Sequence, residues 1–68
     1  MSNEREVETS CLEKMRSRAK ELMAANPSLT RDAAFAQAAS AMPRTMNQYL
    51  YAVSVLGARG IRSLPLWG

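Results

Sequence analysis

The stretch AFAQAASAMPRTMNQYLYAV, residues 34–53, decides the fold. Its first half is rich in alanine, which lets neighbouring elements approach closely, and it ends at Ser40-Ala41-Met42-Pro43. Proline is favoured in the first turn of a helix, because its missing N–H would have no partner there. The stretch therefore predicts two successive helices that meet at Pro43.

The second of these helices is predicted over residues 43–56. Apolar side chains recur in it at three- and four-residue spacing, which is typical of a helix with one buried face. The predicted buried positions are Met46, Tyr49, Leu50, Val53 and Leu56. The opposite, exposed face then carries Arg44, Asn47, Gln48 and Tyr51.

The helix before it is predicted over residues 31–40, with Thr30 as its N-cap and Asp32 near its positive end. Its single large apolar side chain, Phe35, is predicted to lie in the core.

A further helix is predicted to begin at Ser10, since Ser10 and Glu13 fit a capping box. It ends before Pro27, because the residue that precedes a proline is disfavoured in the helical region. Residues 1–9 are interpreted as a flexible charged leader and residues 10–68 as a single helical domain.

After the third helix, which Gly57 and Gly60 are predicted to end, the chain closes with an apolar tail. Its apolar residues are Ile61, Leu64, Leu66 and Trp67. Such a tail is expected to pack on the first helix or on a second subunit. The predicted fold is all-α, with three helices and a short apolar C-terminal tail.

The composition argues against catalysis and metal binding. The chain has 68 residues, no histidine and one cysteine, Cys11. A single thiolate cannot build a four-ligand zinc site, and the usual general base near neutral pH is missing. We therefore predict that the protein is not an enzyme and that it needs neither metal nor cofactor. Its glutamates, all within the first 21 residues and mixed with basic residues, are typical of a solvated helix face.

Location and assembly follow from the same composition. No apolar run is long enough to span a bilayer, and the polar N-terminus does not look like a secretory signal. A lone cysteine fits a reducing compartment, so a cytoplasmic protein without membrane contact is predicted. A core this small makes self-association, for instance as a homodimer, a reasonable expectation.

The charge is distributed unevenly along the chain. The net charge is +3, and no acidic residue occurs from Ala33 onward, where Arg44, Arg59 and Arg62 are unopposed. A one-sided basic half indicates an anion-binding surface, with nucleic acid the first candidate. Three arginines spread over this half also agree with an ordinary surface.

The segment DAAFAQAASAMPRTMNQYLY, residues 32–51, resembles the helix-turn-helix signature of bacterial and phage DNA-binding proteins. In that pattern Ala36 takes the place of the small residue at the helix crossing. Ser40 and Ala41 stand at the turn positions, and Met46, Tyr49 and Leu50 at apolar positions of the second helix.

The resemblance implies that the second helix enters the major groove of duplex DNA. Its amides could bond adenine and its arginine could bond guanine. Contacts to DNA are expected from Arg44, Thr45, Asn47, Gln48 and Tyr51, with Arg31, Arg59 and Arg62 on the phosphates. The function implied is that of a small transcriptional regulator or accessory protein.

A second resemblance supports a different function. LMAANPSLTRDAAFAQA, residues 22–38, is similar to a helix–NPxLT–helix segment of phage head-assembly and scaffold proteins. The alternative is therefore a phage-type helical interaction module, either a virion assembly component or an inhibitor of a host protein. Its contact strip would include Tyr51, Ala52 and Val55, together with Leu66 and Trp67 of the tail. A helical RNA-binding module that uses the same arginines is a third possibility.

Overall fold

The first helix, α1, spans Glu4–Ala25 in the computed structural model, which describes residues 3–67. Asn3 caps it, because its Oδ1 accepts a hydrogen bond of 3.0 Å from the backbone N–H of Arg5. Glu4 and Glu6 in the first turn add favourable charge at the positive end of the helix. The predicted start at Ser10 is therefore wrong, and residues 4–9 of the predicted leader are helical. Residues 1 and 2 lie outside the described residues.

Helix α2 spans Arg31–Ala41 and begins where the sequence predicts. The Oγ1 atom of Thr30 accepts a hydrogen bond of 3.1 Å from Ala33 N, which satisfies one of the free donors of the first turn. The preceding helix ends at Ala25, with Asn26 as its C-cap, just before Pro27 as predicted. The connection between the two helices is therefore short and runs from the C-cap Asn26 to the N-cap Thr30.

Helix α3 spans Pro43–Ala58, with Pro43 in its first turn as predicted and Met42 as the single residue that separates it from α2. Gly57 lies inside the helix, so only Gly60 acts as the predicted stop. Gly60 has φ of 78°, Ile61 N donates to Leu56 O at 2.9 Å, and Gly60 N donates to Gly57 O at 3.0 Å. This pair of bonds is a Schellman motif, which glycine favours because it adopts positive φ freely.

Both α2 and α3 pack mainly on α1 and contact each other little. Helix α3 runs antiparallel to α1, since Gln48 lies against Cys11, and Arg59, after the end of α3, lies against Glu4 at the start of α1. The predicted all-α, three-helix architecture is confirmed, and no strand occurs among residues 3–67. Within the same residues, no helix is long and apolar enough to cross a membrane.

The core lies between α1 and the other two helices. Its buried apolar residues are Cys11, Leu12, Met15, Ala19, Ala34, Phe35, Ala38, Tyr49, Ala52 and Leu56. Phe35 is thus a core residue, as predicted. Leu50 is not, because 51 % of it is exposed. The buried face of α3 is centred on Tyr49, Ala52 and Leu56, and Leu50 follows Tyr49 by a rotation of about 100°, which turns it toward solvent.

The tail, residues 61–67, folds back along α1, which confirms one of the two predicted arrangements. Leu64 and Trp67 pack against the core as partly buried side chains. The ring of Trp67 meets that of Phe35 edge to face, with centroids 5.7 Å apart and an interplanar angle of 65°. This geometry is the one that aromatic quadrupoles favour.

Candidate functional site

The outer face of α3 carries the most exposed large apolar side chains of the described residues. Tyr51 is 69 % exposed and Leu50 is 51 % exposed. Arg44, Asn47 and Ser54 are exposed on the same side of the helix. Helical periodicity places these five residues on one strip, which we call the α3 outer face. Three of the predicted site residues, Arg44, Asn47 and Tyr51, therefore lie together.

Two further predicted site residues lie at the junction with α1. The side-chain oxygen of Gln48, Oε1, is 4.0 Å from the Sγ atom of Cys11, which donates a weak hydrogen bond to it. Thr45 is half-buried beside Ser17 and Met42, in an open cavity of about 590 Å³. Gln48 is still exposed, but it lies one turn before the buried Ala52, on the side of α3 that approaches α1.

A shallow groove runs beside the α3 outer face, with a volume of about 430 Å³. Its lining residues are Val7 of α1 and Asn47, Gln48 and Tyr51 of α3. The groove extends the exposed apolar surface of Tyr51 toward α1. Of the other residues predicted for an apolar contact strip, Val55 is half-buried, whereas Ala52 is fully buried against α1 and cannot contribute.

The arginines predicted to contact phosphate are not gathered at this face. The guanidinium carbon of Arg31 lies 5.6 Å from the ring centroid of Trp67, at the start of α2. Nη1 of Arg59 lies 3.5 Å from Oε2 of Glu4, beyond the other end of α3. Arg62 is exposed, and its backbone oxygen accepts a hydrogen bond from Arg5. Arg44 alone lies on the outer face itself.

The role that the helix-turn-helix resemblance gives to Ala36 is not the one observed. Ala36 is exposed, whereas the buried residues of α2 are Ala34, Phe35 and Ala38. Ala36 therefore does not lie at a helix crossing. Only Met42 separates the two helices, whereas DNA-binding helix-turn-helix units join them by a turn of about three or four residues.

The contacts that hold the tail are a feature that the sequence analysis missed. Glu8 is fully buried, with 0 % exposure, and its carboxylate accepts hydrogen bonds from Arg5 and from the backbone N–H of Leu64. The charge pattern of the first 21 residues predicts a solvated helix face for Glu8, and this prediction is wrong. The signal that could have identified it is its spacing, since Glu8 precedes Leu12 and Met15 by four and seven residues on the apolar face of α1.

Burial also sets the chemistry of two titratable core residues. Desolvation raises the pKa of the Cys11 thiol above its usual value. Desolvation, and then the nearby carboxylate of Glu8, raise the pKa of the Tyr49 hydroxyl. Both groups are therefore held in their neutral forms near neutral pH. Cys11 is thus a packed core side chain, and Tyr49 is buried as predicted.

In comparisons with known proteins, no family model, no curated protein and no solved structure matches this chain. The surface chemistry of the molecule itself therefore supplies the grounds for a functional proposal.

Proposed function

We propose that the chain is a helical protein-interaction module that binds its partner through the α3 outer face. The observation that carries the proposal is the exposure of two adjacent large apolar side chains, Leu50 at 51 % and Tyr51 at 69 %. Tyrosine is enriched among residues that dominate binding energy at interfaces, and an apolar centre with a polar rim is the usual anatomy of an interface. Asn47 and Ser54 supply such a rim.

The charge of the face indicates the kind of partner. Helix α3 contains Arg44 and no acidic residue. A second copy of α3 would therefore bring no carboxylate to Arg44. A different chain, apolar at the centre of its contact surface and acidic where it meets Arg44, complements the face better. A virion assembly component and an inhibitor of a host protein are both roles of this kind.

We also propose a cytoplasmic location. Cys11 is the only cysteine, and it is a free thiol buried in the core. A free cysteine in a small domain fits a reducing compartment.

A DNA-binding regulator is the second candidate, and one observation favours it. Arg44, Asn47 and Tyr51 are all exposed on one strip of α3, and asparagine and arginine are suited to reading base edges in the major groove. The chain has no acidic residue from Ala33 onward. Leu50 in the middle of the strip is the reason for placing a protein partner first, because phosphates offer it no apolar contact.

The two candidates can be separated by one set of binding measurements. A library of acidic amphipathic peptides as long as α3 is selected on the wild-type chain. We expect the selected peptides to bind the Leu50→Ala and Tyr51→Ala variants at least about 30-fold more weakly, as for residues that dominate an interface. Lys20→Ala, an exposed change on α1, is the matched control and should leave binding unchanged.

A labelled mixed-sequence DNA duplex is titrated in parallel at low and at moderate salt. Duplex binding that falls steeply with salt and is weakened by Arg44→Ala and Asn47→Ala would replace the first proposal by the second. Peptides that bind the Leu50 and Tyr51 variants as well as they bind the wild type would refute the role of the α3 outer face. The same conclusion follows if the selection yields no binder.

A further inference from the structure

The tail, residues 61–67, is held on α1 mainly through its backbone, and we call this segment the strap. Leu64 N donates to Oε2 of Glu8 at 3.1 Å, and Nη2 of Arg5 donates to Arg62 O at 3.0 Å. Further along the same helix, Arg16 donates from Nη2 to Pro65 O at 2.7 Å and from Nε to Leu66 O. Three side chains of α1 thus bind four backbone groups of the strap, between Arg62 and Leu66.

Two side chains of the strap add anchors to this backbone grip. Leu64 is half-buried against the core, and Trp67 contacts both Phe35 and the guanidinium of Arg31. Backbone contacts that give affinity, together with side-chain contacts that give specificity, are two elements of peptide recognition. We call this surface of α1 and α2 the strap groove.

The strap groove contains a buried carboxylate that needs hydrogen-bond donors. Glu8 is fully buried, so its carboxylate depends on Arg5 and on the strap N–H of Leu64 for hydrogen bonds. Among residues 3–67, the buried Nε1–H of Trp67 finds no acceptor. Within one chain, the strap therefore supplies a hydrogen-bond donor to the Glu8 carboxylate, while the Nε1–H of Trp67 stays unpaired.

A single turn decides whether the strap reaches its own α1. Gly60 has φ of 78°, and the Schellman motif around it reverses the chain after α3. A residue with a branched Cβ is disfavoured at positive φ. Without this turn the strap points away from its own groove but remains able to reach the groove of another copy. Exchange of one element between identical chains is a common route to dimers.

We propose that the strap groove is a binding site for a Leu-Pro-Leu-Trp segment, and that its occupant in trans is the strap of a second copy. In the wild-type chain the tethered strap has a high effective concentration, so exchanged dimers form only at high protein concentration. Each groove of the dimer then holds the strap of the other copy, with the same backbone contacts to Arg5, Glu8 and Arg16.

The test compares two full-length variants, Gly60→Val and its control Gly57→Ala. Gly60→Val introduces a β-branched residue at positive φ, whereas Gly57→Ala adds a methyl group that meets no atom within 4 Å apart from its own stretch of helix backbone. Sedimentation velocity measures the dimer fraction, and the emission of Trp67, the only tryptophan, reports whether the strap is docked. Gly60→Val should favour the dimer at least about tenfold over wild type, with Trp67 emission still blue-shifted. Gly57→Ala should behave as wild type.

A labelled peptide of sequence IRSLPLWG, residues 61–68, provides the second measurement. The peptide should bind the Gly60→Val chain and dissociate its dimers. Neither effect should occur with a chain that carries both Gly60→Val and Glu8→Ala. A monomeric Gly60→Val that does not bind the peptide overturns the proposal, as does a monomer whose Trp67 remains docked.

If circular dichroism shows that Gly60→Val has lost its helices, the wild-type chain decides the question. Excess labelled peptide should then bind it saturably, and a peptide carrying Leu64→Asp should not. The absence of saturable binding to the wild-type chain refutes exchange.

Discussion

Replacing Glu8 by alanine tests the contacts that hold the strap. Glu8 is 0 % exposed, and its two carboxylate oxygens accept hydrogen bonds from Arg5 Nη1 at 2.7 Å and from Leu64 N at 3.1 Å. The substitution removes both acceptors. The guanidinium of Arg5 can then turn to water, since 35 % of that side chain is exposed, but the N–H of Leu64 is left facing the vacated site.

The expected loss of stability follows from these two contacts. A hydrogen bond to a charged group contributes about 1.5–3 kcal/mol, which applies to Leu64 N. An ion pair with a partner as exposed as Arg5 contributes about 0.5–1 kcal/mol. We therefore expect Glu8→Ala to lower the free energy of unfolding by about 2–4 kcal/mol. A domain of this size has a total stability of only about 3–10 kcal/mol, so the loss is a large fraction of it.

Urea unfolding followed by circular dichroism and by Trp67 emission measures this loss. Glu8→Gln keeps an acceptor for Leu64 N. Its free energy of unfolding should therefore fall by only about 1 kcal/mol relative to the wild-type chain. Glu13→Ala removes an exposed carboxylate from the same helix and serves as the control. In native buffer, Glu8→Ala should also shift Trp67 emission to the red, because the strap loses its central contact. A Glu8→Ala chain that unfolds within about 0.5 kcal/mol of the Glu13→Ala chain would show that the buried carboxylate does not hold the strap.

Three further outcomes are expected. Thr30→Ala removes the cap of α2, whose Oγ1 accepts from Ala33 N at 3.1 Å, and should lower the unfolding free energy by about 1 kcal/mol in urea titrations. Leu12→Ala, at a side chain that is 1 % exposed, should lower it by about 2–5 kcal/mol in the same assay. Burial raises the pKa of the Cys11 thiol above its ordinary value, so the stability that the neutral thiol contributes is complete below the pKa of the unfolded chain and is lost as the pH rises through the pKa of the folded chain. The free energy of unfolding, measured in urea at neutral and at alkaline pH, should therefore fall less between the two for Cys11→Ala than for the wild-type chain.

The helices that the sequence predicts well are those with local start signals. Thr30 and Pro43 act through the backbone of their own first turn, and both begin helices where expected. Ser10 fits a start signal equally well but lies within α1, because Asn3 caps the helix earlier and the intervening residues are compatible with a helix. A capping pattern indicates that a helix can begin at a residue, and the competing cap upstream decides whether it does.

The candidate site is predictable where helical periodicity alone determines exposure. Arg44, Asn47 and Tyr51 are exposed on one face as predicted. The apolar pattern predicts Leu50 in the core, but the small Ala52 occupies the buried position instead. Which of two neighbouring apolar residues is buried depends on how closely α1 approaches, and this is a tertiary property.

The strap contacts could not be predicted from the sequence, because they join residues far apart in the chain. Glu8 and Leu64 are brought together only after α3 has returned to the start of α1. The charges of the first 21 residues sum to zero, which resembles a solvated face. In the folded chain, however, Arg5 and Arg16 donate to backbone oxygens of the strap. Equal numbers of opposite charges therefore conceal a specific peptide-binding role.

The two proposed surfaces are separate, and this has a consequence for binding. The strap groove involves α1 and α2, with Phe35 and Arg31 at one end, whereas Leu50 and Tyr51 project from α3. Exchange of straps leaves the α3 outer face free, so an exchanged dimer presents two such faces. A partner with two matching sites would bind that dimer with higher avidity than the monomer, provided that the spacing permits both contacts. Comparing the affinity of one selected peptide with that of its tandem repeat, on the wild-type chain and on Gly60→Val, measures this directly. A gain from the tandem repeat that is equal for both chains would show that the exchanged dimer does not present its two faces together.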